Sequence, residues 1–177
     1  IIEQECGVDR TLNQVVTLFL TGSECAFKCV MCDLWKNTLD HPTPIGAIPH
    51  QIRWALEKLQ INWRAPRDVK TIKLYNSSNF FDKRAIPTDD WPEISKLVSG
   101  FQTVIVENHP ILCNDQVFQF QDLIAGQLEV AIGLEIVHPK LLKWLNKKMT
   151  LKQYENAVKY LTANDIQVRT FILVKPP

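Results

Sequence analysis

Short apolar segments recur along the chain and alternate with segments of helical spacing. Runs such as VVTLFL are continuously apolar, which is typical of strands buried on both faces of a parallel sheet. Each run ends in polar or turn-forming residues. The pattern predicts five strands, at 15–20, 69–75, 104–106, 128–134 and 168–174.

Helical spacing appears between these strands. Ile52, Leu56 and Leu59 lie three or four positions apart with charged residues between them, so they form one apolar face. The predicted helices are 49–60, 91–99, 115–125 and two pieces after the fourth strand, of which the second begins with a capping box at Thr150. Alternating strands and helices imply right-handed crossovers and a parallel sheet. We therefore predict the α/β class and a partial (β/α) TIM-like barrel.

The 177 residues are 46% hydrophobic, which suffices for the core of one domain, 1–177. The chain begins at Ile1 without a methionine and ends directly after a predicted strand. We therefore expect a piece of a longer protein, with a domain that is incomplete at its carboxyl end.

Charge and hydropathy predict a cytoplasmic protein that does not bind a membrane. Lys and Arg number 20 and Asp and Glu number 19, so no strong field draws the whole chain toward nucleic acid or an anionic surface. The first residues do not resemble a targeting segment, and no apolar run is long enough to cross a bilayer.

Polar residues follow the predicted strands. They include the 76–79 loop, the 107–109 tip, Glu135 and Lys175. In a β/α barrel the carboxyl ends of the strands meet at one mouth, where such folds hold their chemistry. We expect these residues to share one site.

Three cysteines, Cys25, Cys29 and Cys32, follow the first predicted strand within eight residues. The total of five cysteines is odd, and this crowding is unlike a disulfide framework, so reduced thiols that bind a metal are expected. Three interpretations fit three thiolates. They are a zinc-binding interaction module completed by Asp33, His41 or His50, an electron-transfer iron-sulfur protein completed by Cys6 or Cys113, and a [4Fe-4S] cluster with one iron left open to a small ligand.

The Cys-x3-Cys-x2-Cys spacing in the loop after the first strand of a β/α chain resembles the radical S-adenosylmethionine superfamily. The resemblance implies a [4Fe-4S] cluster whose open iron binds S-adenosylmethionine, and reductive cleavage of that cofactor to a 5′-deoxyadenosyl radical. It also implies an external one-electron reductant of the flavodoxin or ferredoxin type. Domains of this family usually have six strand-helix units, so we expect truncation after the fifth strand.

The resemblance also implies roles for individual residues. Met31 takes the place of an aromatic residue beside adenine, and the backbone of Asn76, Ser77 and Ser78 takes the place of a Gly-Gly-Glu run that binds the cofactor's amino group. Glu135 is expected at the ribose hydroxyls. Glu107 is expected to face cofactor or substrate, or else to be a solvated carboxylate.

Three further side chains have open interpretations. Arg169 is expected either to pair with the cofactor carboxylate, because a guanidinium matches a carboxylate, or to face outward to a helix. His109 is expected to be a hydrogen-bonded loop histidine, with a catalytic role as the alternative. Lys147 and Lys148 are expected to be solvated residues of a helix end.

A closer resemblance is carried by the stretches 29–38, 73–76, 80–82, 104–110 and 133–135. These look most like the radical subunit of archaeosine synthase and its bacterial relatives, in a group with the elongator catalytic subunit and the tRNA methylthiotransferases. The resemblance implies action on a lysine-adducted 7-deazaguanine in tRNA. Because the chain is nearly neutral, we expect a partner subunit or a missing carboxyl-terminal domain to hold the tRNA.

Overall fold

The computed structural model describes residues 1–7 and 10–174, so the predicted strand-end residue Lys175 lies outside the described residues. The strands are β1 Ile2–Cys6, β2 Leu12–Leu20, β3 Val69–Asn76, β4 Thr103–Glu107, β5 Gln127–Glu135 and β6 Gln167–Ile172. The helices are α1 Ala47–Lys58, α2 Trp91–Leu97, α3 Gln116–Gln121, α4 Pro139–Trp144 and α5 Leu151–Thr162. Short 3-10 turns occur at Leu34–Asn37, Thr88–Asp90 and Pro110–Leu112.

The six strands form one sheet in the order in which they occur along the chain. Strands β2 to β6 pair in parallel and correspond to the five predicted strands. The predicted partial β/α barrel is therefore confirmed. The sheet also has a strand that the pattern did not predict, β1, which pairs antiparallel with β2 at the edge.

One face of the sheet packs against the helices and forms the core. Even-numbered strand residues such as Leu18, Ile72 and Val104 are buried there together with Ile52 of α1 and Leu161 of α5. The period of two along each strand puts these side chains on the same face. Apart from Val69, which lies in the core, the odd-numbered residues of β2 to β6 consequently face the opposite side, toward the interior of the half-barrel.

An ionic cluster of Glu3, Glu5, Lys73, Glu129 and Arg169 occupies the interior face. The ammonium group of Lys73 pairs with both Glu3 and Glu5, and Arg169 pairs with both Glu5 and Glu129. The Arg169 Nη1 to Glu5 Oε2 distance is 2.9 Å. Since β1 and β6 are the two edges of the sheet, this contact joins one edge to the other across the interior.

The helices agree with the predicted segments, although α3 ends four residues before the predicted end. The capping box at Thr150 is confirmed: its hydroxyl accepts a hydrogen bond from the Gln153 amide, and the Gln153 side chain accepts one from the Thr150 amide. Among the described helices, none is long and apolar enough to pass through a bilayer.

Candidate functional site

A cavity lies where β2 to β5 end, at the carboxyl edge of the sheet. Nine of the ten residues predicted for the site line it: Cys25, Met31, Cys29, Cys32, Asn76, Ser77, Ser78, Glu107 and Glu135. These residues come from four separate strand ends and reach one place because parallel strands all point the same way.

The cysteine loop is fixed by hydrogen bonds from its backbone to the segment after α4. The Val30 amide donates to the Leu145 carbonyl at 3.0 Å. The Asn146 side chain donates to the carbonyls of Phe27 and Lys28, at 3.2 and 3.0 Å. Lys28 has a φ of 45°, so the chain turns sharply between the first two cysteines. The positions of the thiols therefore depend on the loop that follows α4.

The three thiols influence one another electrostatically. Burial raises the pKa of Cys29 above its usual range, and the neighbouring Cys25 and Cys32 raise it further, while the ammonium group of Lys147 opposes the shift. In the described part of the chain, no three Cys, His, Asp or Glu side chains are arranged to hold a single metal ion. In a cubane cluster each thiolate binds a different iron, so the three sulfurs need not meet at one point.

The turn after β3 presents buried polar groups that have no partner. The Asn76 Oδ1 atom accepts from the Ser78 amide at 2.8 Å and fixes the turn. The Asn76 Nδ2 and Ser78 Oγ atoms have no hydrogen-bond partner, although both are buried at the cavity. Buried polar groups in proteins are nearly always hydrogen-bonded to protein, ligand or water, so these two atoms are available to hydrogen-bond a ligand or a water in the cavity.

Glu135 and Lys147 form an ion pair in the cavity wall. Their Oε1 and Nζ atoms are 3.3 Å apart, and the side chains are only 12% and 8% exposed. Glu135 has a φ of 67° at an irregularity between β5 and β6, which turns its side chain into the cavity. The prediction that Lys147 is a solvated helix-end residue is therefore wrong, whereas Lys148 is exposed as expected.

Glu107 at the end of β4 is a partly buried carboxyl group. Burial, with a smaller contribution from the nearby Glu135, raises its pKa to about 7, although a backbone hydrogen bond from Asn76 acts in the opposite direction. The interpretation of Glu107 as a solvated strand-end carboxylate is corrected, because it lines the cavity. At neutral pH it is poised between its acid and its base form.

His109 is a hydrogen-bonded loop histidine. Its Nδ1 atom accepts from the Ile111 amide, and its Nε2 atom is 2.7 Å from the Lys147 carbonyl oxygen, to which it donates. Burial lowers its pKa to about 4, so the ring is neutral. Its ring stacks on that of Phe27, with centroids 3.8 Å apart, and so packs against the cysteine loop.

Arg169 is the one predicted site residue that the structure places elsewhere. Its guanidinium belongs to the ionic cluster and lines a second cavity toward the amino ends of the strands. The predicted contact with a cofactor carboxylate is corrected accordingly, as is the alternative that Arg169 faces a helix. Two residues further along β6, Phe171 lines the first cavity instead.

The other candidate ligands also lie outside the first cavity. Cys113 contacts Asn108 and His109, and burial raises its pKa to about 11. Cys6 lines the second cavity. Asp33, His41 and His50 do not line the first cavity either.

Sequence reasoning gave no role in the site to Phe27 or Lys147, and it placed Asn79 there only as part of the 76–79 loop. Asn79 donates to the Cys25 Sγ atom at 3.7 Å, Phe27 stacks on His109, and Lys147 pairs with Glu135. Asn79 had a signal, since it belongs to the polar loop after β3. Phe27 had one too, since it lies between Cys25 and Cys29. Lys147 had none, because its position follows from a contact with the end of another element.

No protein-family model matches the chain. An uncharacterized protein of Methanocaldococcus jannaschii is 23% identical over 95% of this chain, which spans about half (48%) of that relative's length.

Several solved structures have a similar fold. A queuine lyase from Clostridium spiroforme, bound to SAM and queuine, has a TM-score of 0.58 and 14% identity over 99% of this chain and 82% of its own. The Elp3 of Methanocaldococcus infernus has a TM-score of 0.57 and 16% identity over 94% of this chain and 39% of its own. The cobalamin-dependent S-adenosylmethionine radical enzyme OxsB has a TM-score of 0.55 and 14% identity over 90% of this chain and 24% of its own. The chain thus shares its fold with these three proteins, one of which is an S-adenosylmethionine radical enzyme, the class that the cysteine spacing resembles.

Proposed function

We propose that this chain is the core of a radical S-adenosylmethionine enzyme. In this proposal Cys25, Cys29 and Cys32 hold a [4Fe-4S] cluster, and S-adenosylmethionine completes the fourth iron. The observation that carries it is the meeting of these three cysteines with the ends of β3, β4 and β5 at one cavity. When bound, the cluster supplies the electron that cleaves the cofactor's carbon-sulfur bond and yields a 5′-deoxyadenosyl radical.

The residues of the cavity fit this pair of cofactors. Three free thiols on one loop are a ligand set for a cluster with one open iron. The unpartnered Asn76 Nδ2 and Ser78 Oγ atoms would hydrogen-bond the cofactor. Met31 would pack beside adenine, with the Ser77 backbone near the amino group.

Two carboxyl groups of the cavity have separate proposed roles. Glu135 would accept hydrogen bonds from the ribose hydroxyls, and Lys147 holds the Glu135 carboxylate in place for them. Glu107 would face cofactor or substrate, where a carboxyl group with a pKa of about 7 can bind or release a proton at neutral pH.

Anaerobic purification with iron and sulfide tests the cluster. We expect a brown protein with about four irons per chain, and loss of the cluster in Cys25→Ala, Cys29→Ala or Cys32→Ala, since each change removes a thiolate ligand. Cys6→Ala and Cys113→Ala are the matched controls and should retain iron. Equal iron content in the wild type and Cys29→Ala would contradict the proposal.

The same preparation separates the alternatives. A colourless protein with one zinc and no labile sulfide would identify a zinc-binding interaction module. An electron-transfer protein with Cys113 as fourth ligand predicts that Cys113→Ala destroys the cluster and that S-adenosylmethionine leaves its electron paramagnetic resonance spectrum unchanged. The radical proposal requires a coloured iron-sulfur protein, a cluster that survives Cys113→Ala, and a spectrum that changes when S-adenosylmethionine binds.

For the substrate, we propose a lysine-adducted 7-deazaguanine in tRNA. The support is the resemblance of the cavity-forming stretches to the radical subunit of archaeosine synthase, and the Elp3 structure among those with a similar fold. Hydrogen abstraction from the lysine side chain would give 5′-deoxyadenosine and a substrate radical. Cleavage of the carbon-nitrogen bond in that radical would leave the formamidine once the fragment takes up one electron from the external reductant and one proton from solvent. The base must be exposed from folded RNA, which a partner subunit or a further domain would achieve.

The substrate assay uses the full-length protein with dithionite, S-adenosylmethionine and lysine-adducted tRNA. The expected result is 5′-deoxyadenosine formed in proportion to a mass change of the base. Because the similar lyase was solved with queuine, free queuine is the second substrate to test. Slow 5′-deoxyadenosine release with no change in tRNA mass would exclude the tRNA substrate and leave the radical activity standing.

A further inference from the structure

The segment from Ile136 to Thr150 has a charge unlike that of the whole chain. It contains four lysines and no Asp or Glu, whereas the complete chain has a net charge of +1. Lys147 is buried in its pair with Glu135. The other three, Lys140, Lys143 and Lys148, are exposed, and no ion pair is formed by them within the described residues.

Two exposed apolar side chains lie beside these lysines. Trp144 follows Lys143 at the end of α4 and is 52% exposed. Val30 lies between Cys29 and Cys32 in the sequence and is 59% exposed. The Val30 amide donates to the carbonyl of Leu145, the residue after Trp144, so the backbone of the cysteine loop lies against the end of α4. We call Val30, Lys140, Lys143, Trp144 and Lys148 the basic patch.

Acidic residues of the cysteine loop do not neutralise the patch. Glu24 is paired with Lys28, and Asp33 lies 3.9 Å from Lys36. With Glu24 and Asp33 matched by Lys28 and Lys36, the loop therefore has no net negative charge to set against the three lysines.

We infer that the basic patch is the docking surface for an acidic one-electron carrier protein. The inference rests on the proposed function, which needs one electron from outside for each cofactor cleavage. In that step one electron leaves the reduced carrier and enters the cluster, and no atom is transferred. A carrier bound at Val30 would lie against the loop that holds the thiols, which is where an electron must enter.

The composition of the patch favours a protein carrier over RNA. The 136–150 segment contains no arginine, the residue best suited to phosphate. Two of the five residues of the basic patch, Val30 and Trp144, are apolar. Redox encounters are small and transient, and they are steered by opposite charge. A few lysines around an apolar centre meet that need, whereas RNA binding requires many phosphate contacts.

The test compares two triple variants of equal net charge. The first is Lys140→Glu, Lys143→Glu and Lys148→Glu. The control is Lys58→Glu, Lys70→Glu and Lys159→Glu, three exposed lysines toward the amino ends of the strands and outside every described ion pair. Oxidised flavodoxin is titrated into each anaerobically purified protein by calorimetry, at low and at high salt.

We expect the patch variant to bind flavodoxin about tenfold or more weakly at low salt, with the difference shrinking at high salt, and the control to bind like the wild type. Cofactor cleavage driven by reduced flavodoxin should fall in parallel in the patch variant. Cleavage driven by dithionite should not change, because dithionite needs no docking site.

Three results would overturn the inference. Unchanged flavodoxin affinity in the patch variant would exclude the surface, as would equal loss in the control variant. Loss of affinity for bulk tRNA without loss of flavodoxin affinity would assign the patch to RNA. Absence of dithionite-driven cleavage in the wild type would instead overturn the proposed radical function, which distinguishes the two failures.

Discussion

Individual side chains in the cavity differ in how far the sequence could predict them. Glu107, Glu135 and the 76–78 turn were predictable, because a polar residue directly after an apolar strand has few places to go except the carboxyl end of the sheet. Lys147 was not, since its burial comes from the Glu135 carboxylate twelve residues away. A lysine at a helix end is usually solvated, and only the ion pair makes this burial favourable.

At the residue scale, Glu135→Gln should weaken S-adenosylmethionine binding about tenfold without removing iron. An amide cannot accept as strongly as a carboxylate, and charged hydrogen bonds contribute about 1.5–3 kcal/mol. Calorimetric titration together with iron analysis checks this. Glu93→Gln, in an exposed pair with Arg53, is the matched control and should bind normally. Unchanged affinity in Glu135→Gln would remove Glu135 from the cofactor site.

Glu107 should make folding stability depend on pH. Its pKa rises from the ordinary 4.5 to about 7 on folding, so the folded state holds the proton more tightly. Its contribution to stability is therefore fully present below about pH 4.5 and is lost as the pH rises through 7, by at most about 3 kcal/mol.

Denaturant unfolding of the wild type and Glu107→Gln at pH 5 and pH 8, without S-adenosylmethionine, measures this effect. Relative to the variant, the wild type should lose stability between the two pH values. A constant difference between the two proteins would show that Glu107 has an ordinary pKa.

At the scale of elements, every strand with an apolar face toward the helices was predicted. Strand β1, which has no such face, was missed. Strand β1 has the sequence IEQEC, in which Glu3 and Glu5 point to the interior and pair with Lys73 and Arg169. Its alternation is therefore between half-buried glutamates and exposed residues, and no apolar period marks it. Arg169 was misplaced for a related reason: it faces the interior but lies about 7 Å below Phe171, which reaches the cavity.

Strand β5 carries a glycine whose replacement should affect binding more than stability. A Cβ atom on Gly133 would come within 2.3 Å of the Glu135 carboxylate and 2.9 Å of the Lys147 ammonium. Both are ends of flexible side chains, so Gly133→Ala should shift the pair at a cost of about 1 kcal/mol and weaken S-adenosylmethionine binding.

Gly46→Ala provides the converse control. Gly46 has a φ of 86° at the start of α1 and open space around it. Alanine there should cost about 1 kcal/mol through backbone strain and leave binding unchanged. Thermal unfolding and calorimetric titration of both variants check the pair. Weaker S-adenosylmethionine binding in Gly46→Ala together with normal binding in Gly133→Ala would contradict the arrangement of β5.

At the scale of the whole molecule, the ionic cluster should stabilise the half-barrel without taking part in cofactor binding. Arg169→Met leaves Glu5 and Glu129 partly buried without their common partner, which should lower the free energy of unfolding by about 1–3 kcal/mol. S-adenosylmethionine affinity should be unchanged when measured at a temperature where the variant is folded. A fall in affinity with normal stability would return Arg169 to the cofactor site.

The contact between Glu5 and Arg169 also determines the order in which parts of the sheet can form during synthesis. These residues are 164 positions apart, so a ribosome that has made β1 must add nearly the whole segment before Arg169 emerges. Lys73 is available much earlier and pairs with both glutamates of β1. We expect β1 to be held first by Lys73 against β2 and β3, with the two edges of the sheet joined only in the last step of folding, as contacts of long sequence separation generally are.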